Sequence, residues 1–276
     1  MKYVEPVRGA LETPLLGGDV TDGVVRVGDT VRRPTNEQSD AVHAYLAHLE
    51  RAGFDAAPRF LGMDARGREV LTYIEGEMAG RPLHSWAAGE GFLVAIARMQ
   101  RRLHDCSANF ALPHGAKWRA PETIEGVPPP YDVADVVGHN DITPENLICV
   151  NGKPVGIVDF DLAGPTTRLL DVIMTLVYWA PLADPADRDP MLRDVDAGRR
   201  IRSFADAYGL DAHDRERLLE RALRRCMRAW HTMRLRAERD GGGWALMWAQ
   251  GVGDKIRRSE RWLVREREAL ELALRS

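Results

Sequence analysis

This 276-residue sequence is short of the features that mark several common protein classes. Its three cysteines, Cys106, Cys149 and Cys226, are far apart and form no metal-like pattern. That excludes a disulfide framework and a cysteine zinc site, and predicts reduced thiols. No apolar run is long enough to cross a bilayer, and the opening MKYVEPVRGALE lacks the basic and then apolar layout of a secretory signal. The expectation is a cytoplasmic protein that does not engage a membrane. A net charge of −3, with no run of Lys and Arg interleaved with aromatics, argues against a nucleic-acid partner. Neither G-x-G-x-x-G nor G-x-x-x-x-G-K-[ST] occurs, so the two commonest glycine-rich nucleotide fingerprints are absent. A hydrolase using His139 and Asp141 is disfavoured because no G-x-S-x-G supplies a nucleophile. No internal repeat or low-complexity segment breaks the chain.

What is present concentrates in residues 138–162, GHNDITPENLICVNGKPVGIVDFDL. Leu147 to Val150 is a short apolar run, Asn151 to Pro154 carries turn chemistry, and Val155 to Val158 is apolar again. This predicts a β-hairpin. Antiparallel strands joined by a tight turn begin and finish at the same end, so Asp141 and Asn146 are expected to meet Asp159. Two carboxylates and a carboxamide so placed are hard oxygen ligands, suited to Mg²⁺ held jointly with phosphate oxygens, and potential bases.

His139, Asp141 and Asn146 also fit the pattern HxDxxxxN, and Asp159, Phe160 and Asp161 stand where kinases carry DFG. On these residues the chain resembles the aminoglycoside phosphotransferase family, which has a protein-kinase-like fold. The resemblance implies an α+β, bilobal molecule: a small antiparallel-sheet lobe over residues 1–75 that binds nucleotide, and a larger, mainly helical lobe over 76–276. The second lobe would contain the catalytic hairpin, 138–162, and a helical acceptor-binding region, 166–276. The implied activity is Mg²⁺-dependent transfer of the γ-phosphate of ATP, or GTP, to a hydroxyl of a small molecule, foremost an antibiotic. A metabolite kinase of the amino alcohol or thiosugar type, or a nucleotide-binding regulator without catalysis, are the alternatives. Asp141 would accept the acceptor proton, His139 would brace the loop, and Asn146 and Asp159 would hold the metal. Asp161 either assists the metal or is solvated.

The same resemblance gives roles to the earlier chain. Residues 15–33 read as two hairpin-linked strands with a glycine-rich loop, in which Gly18 and Thr21 would cover the phosphates. Alternation along Thr30 to Arg33 places Val31 and Arg33 on one face, Val31 against the adenine and Arg33 at the phosphates, where the family usually has Lys. A helix over Glu37 to Ala52 offers Glu37 or Glu50 as the partner of that cation. Strands over Phe60 to Met63 and Arg68 to Ile74 complete a small sheet, and the backbone of Thr72, Tyr73 and Ile74 would meet the base.

Farther on, helical spacing predicts a core helix from Gly91 to Cys106, with His104 at its end interacting with terminal carbonyls. Residues 113–135, rich in proline, read as an irregular connection bordering the acceptor cleft. Thr166 to Trp179 is an apolar helix whose Asp171 needs buried partners and which the family uses as a structural anchor for the loop. Helices are expected over 191–208, 212–239 and 244–272, with Trp230, Trp244, Trp248 and Trp262 mainly in the core. Residues 1–180 are acidic on balance and 181–276 basic, which fails to support a polycationic acceptor. Asp184, Asp187 and Asp189 are either an acidic subsite or a loop that starts helices.

Overall fold

The structure is a computed structural model that describes residues 3–4, 11–15 and 23–275; Gly18 and Thr21 lie outside the described residues. The chain first builds a five-stranded antiparallel sheet in the order β1-β2-β3-β5-β4 from β1 (Thr13–Pro14), β2 (Val25–Val27), β3 (Thr30–Arg33), β4 (Phe60–Met63) and β5 (Glu69–Thr72). Helix α1 (Ser39–Arg51) lies between β3 and β4. Its buried residues Val42, Tyr45, Leu46 and Leu49 follow the three-and-four spacing of an amphipathic helix.

Below this sheet, β6 (Glu77–Met78) pairs with β8 (Leu147–Val150), which pairs with β9 (Lys153–Ile157). The predicted hairpin is therefore present. Asn151 and Gly152 both take left-handed φ values, 50° and 68°, as a two-residue turn matching strand twist requires. Pairing shifts between Ile148 and Cys149, so the second strand starts at Lys153 rather than Val155 and includes Pro154, which is tolerated at the sheet edge. Two further short strands, β7 (Val136–Gly138) and β10 (Gly164–Thr166), pair across the base of the hairpin.

The remaining elements are helices. α2 (Glu90–Cys106) buries Leu93, Ile96, Ala97, Gln100 and Leu103, the stripe read from the sequence. α3 (Arg168–Trp179) starts at Thr167, whose hydroxyl caps the Leu170 amide. α4 (Ala197–Tyr208) and α5 (Ala212–Arg239) follow. The expected helix over 191–208 is shorter because Pro190 to Leu192 forms a separate 3₁₀ turn. The single helix expected over 244–272 is in fact three: α6 (Gly242–Ala249), α7 (Val252–Arg265) and α8 (Arg267–Arg275). The chain breaks at Gly251, with φ 85°, and again at Glu266.

Residues 113–135 contain no helix or strand. They are held against α5 by Arg228, which donates to the carbonyls of Pro128 and Glu122, and by Arg236 and Arg239 at the Glu122 carboxylate. The three cysteines are free, and among the described residues no helix is long and apolar enough to cross a membrane.

Candidate functional site

The loop between β7 and β8 is fixed from beneath by one buried carboxylate. Asp171, on α3, accepts the His139 amide at 3.2 Å, the Asn140 amide at 2.7 Å and His104 Nε2 at 2.7 Å. Such close packing needs a residue without a side chain beneath it: a Cβ on Gly138 would lie 2.7 Å from Asp171 Oδ2. His104 meets Tyr208 Oη through its other nitrogen, at 2.6 Å. Its role is structural as expected, but its partners are Asp171 and Tyr208 rather than terminal carbonyls. Trp179 Nε1 donates to the Ile142 carbonyl at 2.7 Å and Tyr45 Oη to that of Val137 at 2.8 Å, so the loop backbone is tied to α3 and α1.

Three predicted residues meet above this base. Asn146 Nδ2 donates to Asp141 Oδ2 at 2.9 Å, and the Val158 amide donates to the Asn146 carbonyl at 2.9 Å, bringing Asp159 to the same end. Asp159 takes a left-handed φ of 62°, unusual for a residue with a side chain and common where a loop is held for function. Burial pushes the Asp141 carboxyl up to about 6, and the neighbouring charges of Asp159 and Glu145 add to it. A carboxylate poised near neutrality suits a proton acceptor. His139 is fully buried, its Nε2 donating to the Val158 carbonyl at 3.0 Å and its ring edge-on to Phe160. It braces the hairpin.

Arg33 faces this centre from β3. It is buried, with Nε 3.0 Å from Glu69 and its terminal nitrogens on Asp159, at 3.2 Å, and Asp161. Burial alone would weaken its charge, yet the carboxylates of Asp161, Asp159 and Glu69 more than offset that and hold it protonated. Neither helix glutamate is its partner: Glu37 is exposed and Glu50 pairs with Arg59. The missed residue is Glu69, directly opposite Arg33 across the β3–β5 pair. Helix α1 contributes indirectly through His43, which bonds Glu69 and stacks on Phe60 at 3.6 Å. The planar fork of Arg spans three separate acceptors and a Lys ammonium is a point charge. Arg33→Lys should therefore lower stability by about 1–2 kcal/mol in urea unfolding.

On the central strand β3, Val31 packs half-buried against the core on the same face as Arg33. The Thr72 and Tyr73 amides are already committed, to the carbonyls of Arg59 and Asp29. Of the three hinge positions, only Ile74 keeps an amide without a backbone partner among the described residues. Beside it the Arg26 guanidinium lies 3.7 Å from the Tyr73 ring centre and pairs with Glu75, lining an open cavity of about 690 Å³. Arg26 and Glu75 carried no motif in the sequence and are visible only once the strands are paired.

A profile of the phosphotransferase enzyme family matches residues 118–219, which contain the loop and the hairpin. A trifolitoxin immunity protein of Rhizobium leguminosarum bv. trifolii is 31% identical over 276 residues, spanning 95% of this chain and 98% of its own. Among solved structures, a choline/ethanolamine kinase family protein from Mesorhizobium loti superposes with a TM-score of 0.57 at 16% identity, over 97% of this chain and 93% of that one. The aminoglycoside phosphotransferase APH(2")-IIa in complex with gentamicin gives 0.60 at 15% identity, over 89% and 91%. The kinase-like fold is thus shared with proteins of very different sequence. The chain belongs to the phosphotransferase enzyme family.

Proposed function

We propose that this phosphotransferase moves the γ-phosphoryl group of ATP, or GTP, to a hydroxyl of a toxic small molecule and so confers resistance to it. The observation that carries the reading is the meeting of Asp141, Asn146 and Asp159 at the open end of the hairpin, facing Arg33. The immunity role of the 31% identical relative favours a toxin over a nutrient as acceptor. Asp141 accepts the hydroxyl proton while the acceptor oxygen forms its bond to the γ-phosphorus and the bond to the departing nucleoside diphosphate breaks. A loose transition state asks little of the base, so orientation by Asp141 and neutralisation of charge account for most of the acceleration.

The donor set suits Mg²⁺. Asp159 offers a half-exposed carboxylate, and Asn146, with its nitrogen turned to Asp141, presents its carbonyl oxygen elsewhere. When bound, such an ion held by Asn146 and Asp159 would supply positive charge to neutralise the triphosphate. Arg33 steadies both Asp159 and the phosphates, Val31 packs on the base, and the backbone about Ile74 reads its edge. We place the boundary between the nucleotide lobe and the acceptor lobe near Glu75.

The test is thermal shift with Mg·ATP and Mg·GTP followed by nucleotide consumption over hydroxylated antibiotics. Asp159→Ala should abolish Mg²⁺-dependent stabilisation by nucleotide. An Asp159→Ala protein that binds Mg·ATP as tightly as the parent would rule out this metal assignment.

A further inference from the structure

Two arginines, Arg81 and Arg225, stand near the Asp141 loop. Glu145, four residues after Asp141 in the same loop, is ion-paired with Arg81, whose guanidinium lies 5.8 Å from the centre of the Tyr178 ring. Tyr178 stands one turn beyond Met174 on α3, and the Met174 thioether receives Nε of Arg225, from α5, at 3.1 Å. Arg225 is half-buried and forms no ion pair with a carboxylate among the described residues. A thioether is a weak acceptor that carries no countercharge, and a cation withdrawn from water ordinarily has an anionic partner. The Tyr178 hydroxyl is not among the buried polar atoms left without a partner and so stays open to an incoming group. Burial raises its pKa, Arg225 and Arg81 oppose that rise, and Asp141 and Glu145 reinforce it, so all four charges act on one phenol.

The three aspartates read as an acidic subsite are each engaged elsewhere. Asp184 and Asp189 cap the Ala186 and Met191 amides, and Asp187 is held by Arg258 through two bonds of 2.7 Å. Asp184 and Asp189 thus start short 3₁₀ turns, whereas Asp187 is the ion-pair partner of Arg258.

We propose that Arg225 and Tyr178 form an anion subsite for the acceptor, so that the hydroxyl compound presented to Asp141 also carries a carboxylate. The carboxylate accepts from the Arg225 guanidinium and the Tyr178 hydroxyl, leaving the reacting hydroxyl to Asp141. This rests on the phosphotransferase reading of Asp141. The test measures binding to the Mg·AMP-PNP-loaded protein of gluconate, pantothenate and N-acetylserine, each against its carboxamide, with kanamycin as a polycation.

The acids should bind at least about tenfold more tightly than their amides, as one charge-assisted contact provides. Arg225→Ala should erase that preference, Arg225→Lys should restore part of it, and Tyr178→Phe should reduce it, with nucleotide affinity as the control for folding. Equal binding of acids and amides, a preference that survives in Arg225→Ala, or tighter binding of kanamycin than of every acid would overturn the subsite. An acid preference that depends on Arg225, with no phosphate transfer by ³¹P NMR to any of the acids when Mg·ATP replaces Mg·AMP-PNP, would retain the subsite and refute the role given to Asp141.

Discussion

Asp141→Asn should lower phosphoryl transfer by about 10³-fold while making the protein more stable at pH 7.5. The loss follows from removing the carboxylate that orients the acceptor hydroxyl as well as taking its proton, and a positioned group of this kind contributes about 10²–10⁴. The gain follows from the cost of keeping that carboxylate ionised inside the fold. Burial, with the charges of Asp159 and Glu145, pushes its pKa up to about 6, above the ordinary carboxylate value. A carboxyl whose folded pKa is raised binds its proton more tightly folded than unfolded. Stability is therefore undiminished below about pH 4, declines as pH rises towards 6, and bears the whole cost above that. Asparagine keeps the shape and can still accept from Asn146 Nδ2, without the charge. The expected gain is about 1–3 kcal/mol at pH 7.5, shrinking to nothing near pH 4. Denaturant unfolding at both pH values, beside single-turnover transfer, measures the two effects. A destabilised Asp141→Asn at pH 7.5 would show that the carboxylate is not strained by its neighbours. Such an exchange of stability for poise is expected at an active centre.

The centre was legible in the sequence because its information is local. A turn pair, two apolar runs and polar residues at fixed offsets lie within 25 residues, and a hairpin converts those offsets directly into proximity. Arg33 was legible too, since alternation along a four-residue strand fixes its face. Its partner was not. Glu69 lies opposite Arg33 only because β3 pairs with β5 in one register, and a register between strands separated by a helix leaves no local mark. Glu37 precedes α1 and Glu50 lies near its far end, whereas the helix reaches the cation through His43 instead. β6 was invisible for a different reason: two residues, Glu77 and Met78, cannot show a period, and they are a strand only because β8 offers an edge. In the tail, helical spacing continues through Gly251 and Glu266, so the breaks there escape a reading by periodicity. The same limit applies to Arg225, which resembles the exposed arginines of α5 until α3 is packed against it.

Asp171→Ala should cost about 3–5 kcal/mol, the largest stability loss expected of any single substitution in the loop's support. The carboxylate has no exposure to water and receives the amides of His139 and Asn140 and the ring of His104. Alanine leaves all three donors buried without an acceptor, and each orphan costs about 1–3 kcal/mol before relaxation. Burial alone would raise the Asp171 pKa, but the hydrogen bond and charge of His104, with His139, hold it below the ordinary carboxylate range. A depressed folded pKa contributes stability above the unfolded value, near 4, and loses it as pH falls through the folded one. The parent should therefore become acid-sensitive below about pH 4, and Asp171→Asn should lack that part of the sensitivity. Transfer should fall as well, because Asn140, at φ 63°, relies on the Asp171 bond to keep the loop in a left-handed conformation. Gly138→Ala checks the argument from the other side. Its added Cβ would crowd Asp171 Oδ2 at 2.7 Å without removing a donor or a charge. It should reduce both stability and transfer while leaving the acid sensitivity in place. Equal stability of Asp171→Ala and the parent at pH 7.5 would show that the loop is held by Trp179 and Tyr45 instead.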